Sequence, residues 1–188
     1  MPDYSITNEM KIESPTAPKF PPAWTWFFDE HLTQWVKNNY SPKEGWAGKP
    51  FNTHDASFFS RGISELSEMF TDERPRQIPS YFQHSKFRSA YLLYFLPLQC
   101  AKFLTLFQIH EKAMRTVLAH GRKQGVIRVA DLGAGPGTAS IAYLMWIMLL
   151  SNEDAEKLPP IEFLWIDRNE EVMKDGKALA LALCEQFS

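Results

Sequence analysis

The segment Val129-Ala130-Asp131-Leu132-Gly133-Ala134-Gly135-Pro136-Gly137-Thr138 constrains the fold of this chain more than any other. An apolar run (Val126, Ile127, Val129, Ala130) ends in Asp131, glycines follow at three alternate positions, and the apolar stretch Ala139 to Leu150 comes next. This order predicts a strand, a tight turn and a helix of about three turns. Glycines in the turn permit positive φ and leave backbone N–H groups bare at a helix start. A nucleotide-like ligand can approach closely there.

A second unit of the same kind follows. Ile161–Ile166 reads as a strand ending at Asp167, and Asn169 is placed to cap a last helix with Glu170 and Glu171 in its first turn. Strand–helix–strand of this sort calls for a parallel pair with a right-handed crossover. Upstream the pattern is helical. Trp24, Phe27, Phe28, His31, Leu32, Trp35 and Val36 recur at helical spacing between Pro22 and about Asn38. A second helix is expected from about Asp55 to Phe70, with Phe58, Phe59, Ile63, Leu66 and Met69 or Phe70 inward. The pattern from about Ser85 to His120 is helical again, with a kink or break near Pro97 and a stop at Gly121.

The expected organisation is α/β: a disordered lead-in over residues 1–21, a helical domain over 22–121, and a partial Rossmann-like domain over 122–188. Two strands are too few for a doubly wound sheet, which is normally covered on both faces. The chain therefore reads as the front of a larger fold: a fragment, a truncated relative, or a subunit whose sheet a partner chain completes.

Charge is unevenly distributed. The net charge of −2 conceals a block over residues 74–128 with ten basic side chains and one acidic one, flanked by segments of net −5 and −6. Such a block suits an anionic partner such as RNA, or equally a set of solvated helix faces. Within it Arg88 and Tyr91 are candidate substrate residues that could contact a phosphate or a base, the alternative being a surface arginine and a packed tyrosine. The five histidines show no metal-ligand spacing, and the two cysteines, Cys100 and Cys184, lie far apart. That pattern predicts no metal and a reducing compartment. The most apolar run, Tyr91 to Phe107, is interrupted by Pro97, Gln99 and Lys102, and the first twenty residues look like no targeting peptide. A cytoplasmic chain without a membrane segment is the expectation.

Two ligand classes use a glycine turn of this form. The dinucleotide fingerprint needs glycine or alanine at position 138, with a carboxylate about twenty residues on. Thr138 stands at that position, and Glu153 and Asp154 fall in a loop. Asp131-x-Gly133-x-Gly135-x-Gly137 instead resembles motif I of class I S-adenosylmethionine-dependent methyltransferases, and Asp167 matches that class's acidic residue after the second strand. The resemblance implies S-adenosylmethionine as cofactor. Asp131 would help hold its methionine end, Gly133, Ala134, Gly135 and Gly137 would line its backbone approach, and Asp167 would bind the ribose hydroxyls.

The wording Gly133-Ala134-Gly135-Pro136-Gly137-Thr138-Ala139 is similar to that of a small-ribosomal-subunit methyltransferase-like family, which includes a mitochondrial ribosome assembly factor. That family carries Ala-Tyr-x-x-x-Arg-x-Pro ahead of motif I. Here Ala90, Tyr91 and Pro97 agree, while Phe95 replaces the arginine. The resemblance covers about residues 80–188. It implies methyl transfer to ribosomal RNA or in small-subunit assembly. The alternative is a non-catalytic assembly module that grips RNA or a ribosomal protein through residues 74–128. Some members are linked with iron–sulfur binding through a cysteine cluster that this sequence lacks, so no metal is expected. Leu158-Pro159-Pro160-Ile161 lacks the polar first and aromatic last residue of the base-methylating motif and reads as a rigid strand entry. No catalytic residue can be named from the sequence.

Overall fold

The computed structural model describes residues 19–41, 48–71, 80–151 and 158–187. The lead-in up to residue 18, the basic Arg74 and Arg76, and Glu153 and Asp154 lie outside the described residues. The described elements are, in order, α1 (Ala23–Thr25), a π-helical stretch (Trp26–Leu32), α2 (Thr33–Tyr40), α3 (Thr53–Thr71), a 3₁₀ turn (Tyr81–Gln83), α4 (Ser85–Ala90), a second π-helical stretch (Tyr91–Phe95), α5 (Leu96–Ile109), α6 (Glu111–Gln124), β1 (Ile127–Leu132), α7 (Thr138–Ser151), β2 (Ile161–Ile166) and α8 (Glu170–Phe187). The protein is thus mostly helical with one small parallel sheet.

Helix α7 has no polar side, and it is buried nearly all round. Ile141, Ala142, Tyr143, Met145, Trp146 and Ile147 are each inaccessible to solvent or almost so. A helix apolar on every face must be enclosed by other elements. Here α5 packs along it, and the first helical rod (α1, the π-helical stretch Trp26–Leu32 and α2 running on as one), the sheet and α8 close the remaining sides. One cluster joins Phe27, Phe28 and Leu32 to Leu92, Leu96, Met145 and Leu179. A second joins Leu104, Leu118 and Ile127 to Trp146 and Leu150. The N-terminal helices and the strand–helix units therefore share one continuous interior.

The strands pair in parallel, from Ile127 opposite Ile161 to Leu132 opposite Ile166. Alternation sends Ile127, Val129, Ile161 and Phe163 against the helices. The opposite face is bare: Leu132 is 74% exposed, Leu164 60% and Ile166 50%. Asn169 caps α8 through its Oδ1, which accepts from the Val172 N–H at 3.0 Å.

Three local expectations are corrected. Helix α3 buries Phe59, Gly62 and Leu66, while Phe58 at the edge of that face is 43% exposed. Pro97 does not break its helix. The Leu96 N–H reaches back to the Tyr91 carbonyl in a π-turn, so the wider turn absorbs the proline and helix continues to Ile109. The break comes instead at His110. Gly121 lies inside α6, where a Cβ would overlap the Ile127 side chain, and the stop is Gly125 at φ 73°. Ser85–Ile109 is long and apolar enough to cross a membrane by length and composition; in this fold its Leu92, Leu96, Cys100 and Leu104 are buried.

The first helical rod is fastened to α3 by a buried ion pair. Lys37 Nζ donates to Asp55 Oδ2 at 2.6 Å and to the Pro50 carbonyl at 2.8 Å, and the Asn52 N–H donates to the same carboxylate at 2.9 Å. Burial alone would raise the Asp55 carboxyl. The hydrogen bonds from Lys37 and Asn52 outweigh it and hold the group below the usual carboxylate range. Lys37→Met is expected to lower the unfolding free energy by about 3–5 kcal/mol at neutral pH in urea denaturation, because it strands a buried carboxylate. A carboxyl held low in the folded state contributes stability above its unfolded value and loses it as pH falls through the folded value. In the variant burial raises the unpaired carboxyl, so the Lys37→Met deficit is expected to shrink as pH falls, beginning above the ordinary aspartate range and continuing down to the wild-type folded value.

Candidate functional site

The glycine turn joins the end of β1 to the start of α7. Gly133, Gly135 and Gly137 all hold positive φ, at 68°, 53° and 71°. The turn is tied to β2: the Gly133 and Ala134 N–H groups donate to the Ile166 carbonyl at 2.7 and 3.2 Å. The Asp167 carboxylate completes the tie. Its Oδ2 accepts from the Gly135 N–H at 2.9 Å and its Oδ1 from the Asn169 N–H at 2.9 Å. Asp167 thereby spans the two strand ends, and each of its oxygens keeps acceptor capacity for a further donor.

A second tie runs beneath the turn. Trp165 Nε1 donates to Ser140 Oγ at 2.8 Å, and Ser140 Oγ donates to Asp131 Oδ2 at 2.7 Å. The relay links β2, α7 and β1 and fixes the Asp131 carboxylate. Neither Ser140 nor Trp165 was visible as a site residue in the sequence. Trp165 reads there as one more apolar strand residue, and Ser140 as an ordinary helix position.

These elements enclose a cavity of about 350 Å³ lined by Asp131, Leu132, Gly133, Ala134, Gly135, Thr138 and Asp167 on the strand side. Tyr81, Phe82, Tyr91, Gln99 and Phe103 close the helical side, and Arg168 and Asn169 the end beyond β2. The three aromatic rings nearest the turn touch one another, with Tyr81 4.3 Å and Tyr91 5.0 Å from Phe82 between centroids. Burial, with the charges of Tyr91 and Asp167 adding to it, pushes the Tyr81 hydroxyl up to about 12, so it stays a donor. Thr138 is buried at the first position of α7, and its Oγ1 has no hydrogen-bond partner. Its polar neighbour is the Tyr91 hydroxyl, which burial pushes upward.

The residues singled out from the sequence divide into two sets. Asp131, Gly133, Ala134, Gly135, Asp167 and Tyr91 lie on this one cavity. Gly137 does not line it, and a Cβ there would overlap the Trp165 ring. Its glycine is a packing requirement. Arg88 also lies off the cavity lining: its guanidinium donates to Tyr40 Oη at 3.0 Å and to the Phe82 carbonyl at 2.9 Å, and stands 3.4 Å from Asp175 Oδ2. The basic block is partly neutralised by the acidic segments around it, through Lys86 with Glu65, Arg88 with Asp175 and Arg128 with Glu162, and internally through Arg115 with Glu111. Among the described residues no group of three histidine, cysteine or acidic side chains is arranged to hold a metal. Cys100 is fully buried, and burial pushes its thiol far up.

Comparison with protein-family models, with curated proteins and with solved structures found no match for this chain.

Gly137→Ala is expected to destabilise the fold by more than about 2 kcal/mol, since it adds a left-handed backbone penalty to an overlap with Trp165. Gly133→Ala, whose Cβ would meet open space, is expected to cost only the backbone term of about 1–2 kcal/mol. Thermal unfolding of the two variants side by side checks the ordering.

Proposed function

We propose that this chain binds S-adenosylmethionine in the cavity at the glycine turn and serves methyl transfer, with ribosomal RNA or a small-subunit assembly intermediate as the acceptor context. The observation that carries the reading is the placement of Asp167. A carboxylate already oriented by the Gly135 and Asn169 N–H groups faces a cavity whose floor is glycine backbone. Such a group accepts from both hydroxyls of a ribose without having to be ordered first. Thr138, on the cavity lining at the positive end of α7, puts that helix terminus where an anionic or strongly polar end of the same ligand would be favoured. A volume of about 350 Å³ falls at the lower end of the range of small-molecule pockets.

Bound S-adenosylmethionine supplies an electrophilic methyl group, so the reactive chemistry is the cofactor's own. The residues of this chain bind, orient and shield. Asp167 fixes the ribose, Asp131 is held ready by Ser140, and Tyr81, Phe82 and Tyr91 keep water off one side. The acceptor context rests on the wording shared with the ribosomal methyltransferase-like family.

A second reading is a binding module of the same fold that takes part in ribosome assembly without transferring methyl groups. The bare outer face of the sheet, with Leu132, Leu164 and Ile166 exposed, favours it to the extent that apolar surface of this kind marks contact with another protein or with a chain that completes the sheet.

Titration calorimetry with S-adenosylmethionine tests the site. Asp167→Asn is expected to weaken binding by about ten- to hundred-fold, the loss of hydrogen bonds to a charged acceptor. Thr138→Val is expected to leave the melting temperature unchanged or raised, since it removes a buried hydroxyl that has no partner, and yet to weaken binding by about five- to ten-fold. Absence of binding by the unaltered chain at millimolar ligand would overturn the proposal.

A further inference from the structure

Phe82 forms the cavity wall opposite the glycine turn, close enough that a Cβ at Gly135 would lie 3.4 Å from its ring. The 3₁₀ turn that carries it is three residues long. A piece that short does not hold its own geometry. Its rings pack on Phe70 and Tyr91, and its backbone is fastened by Arg88 on α4. One arm of the guanidinium donates to the Phe82 carbonyl at 2.9 Å. Its Nε donates to Tyr40 Oη at 3.0 Å, at the end of α2, and stands 3.4 Å from Asp175 Oδ2 on α8. The Tyr40 hydroxyl donates in turn to that same Asp175 oxygen. Burial pushes the Tyr40 hydroxyl well above the phenol range and the Asp175 hydrogen bond adds to the rise, so it remains a donor. The guanidinium also lies over the Tyr40 ring at 5.6 Å. Both charged side chains are largely buried, so the arrangement depends on all its partners being present. The guanidinium donates from two separate nitrogens to acceptors on two elements and pairs with a carboxylate on a third, a spread that the single nitrogen of an ammonium does not offer.

We infer that Arg88 is a positioning residue of the cofactor cavity: through the Phe82 carbonyl it sets the Tyr81–Phe82 wall against the glycine turn, and through Tyr40 and Asp175 it couples that wall to α2 and α8. The inference rests on the cofactor reading given above. It assigns to α2 and α8 a part in ligand binding, although neither helix places a residue on the cavity lining. By linkage, a ligand that needs the wall in place stabilises the latch, and the latch strengthens the ligand's binding by the same factor.

The test combines amide hydrogen exchange with calorimetric titration of S-adenosylhomocysteine, both on the full chain. Arg88→Met is expected to speed exchange of the Tyr81–Gln83 amides by about ten-fold and to weaken ligand binding by about ten-fold, the loss of charge-assisted hydrogen bonds, while the α7 amides exchange as before. Tyr40→Phe removes one hydroxyl from the latch and keeps the ring. It is expected to move both readouts in the same direction by about three-fold, and it decides the question if Arg88→Met does not fold. Arg88→Lys is expected to behave like Arg88→Met. A purely structural arginine would lower the melting temperature and leave the affinity unchanged; that result, with the unaltered chain binding well, overturns the inference and leaves the cofactor reading standing. No binding by the unaltered chain overturns the cofactor reading, and the inference with it.

Discussion

Helix α7 has no polar face, and that single fact organises the molecule. An apolar cylinder can be stable in water only when it is enclosed. The enclosure here needs α5 on one side, the inner face of the sheet on another, and α8 and the first helical rod on the rest. Because the helix is immobilised along its length, so is its N-terminus. The glycine turn that feeds it is therefore presented at a fixed place beside the ends of both strands. The cavity is a by-product of that geometry: β1 and β2 stop together, the chain turns away at Gly133 and Asp167, and the space left is closed by the aromatic turn ahead of α4.

Two kinds of polar contact then specialise the space. Asp131 and Asp167 have similar positions at the ends of neighbouring strands, but their surroundings differ. Asp131 is secured from below by Ser140, itself held by Trp165. Asp167 is secured by backbone N–H groups of the turn and of the residue before α8. Both are held by groups that belong to the fold, so neither needs a ligand to be ordered. Thr138 is the exception. Its buried hydroxyl, next to Tyr91 at the start of α7, is not secured by a hydrogen bond of full geometry.

Much of this was legible in the sequence, and the reasons differ by region. The strands and the turn were readable because Gly133, Gly135 and Gly137 and the two terminal aspartates are local signals, and β2 falls over the residues expected. The role of Gly137 was not readable. Its partner, Trp165, lies 28 residues away along the chain, and only the paired strands bring them together. The helix stop was assigned to Gly121 because glycine ends helices, whereas Ile127 pressing on that position requires glycine for a different reason, and Gly125 does the ending. Pro97 shows how tertiary context can override a breaker: a π-turn ahead of it lets the helix run on. Arg88 read either as a contact for a phosphate or base or as an ordinary surface arginine. Its partners Tyr40 and Asp175 come from 48 residues before and 87 after, a convergence that no local pattern contains. For the basic block the sequence left an anionic partner and solvated helix faces equally open, and the pairing with Glu65, Glu162 and Asp175 is a tertiary contact that no local pattern contains.

The most direct measurement is a crystal structure of the full chain grown with saturating S-adenosylhomocysteine. Ligand density is expected in the cavity at the glycine turn, with the ribose hydroxyls on Asp167 and a polar end of the ligand at the start of α7. An empty cavity at saturating ligand, or ligand bound elsewhere on the chain, would contradict it.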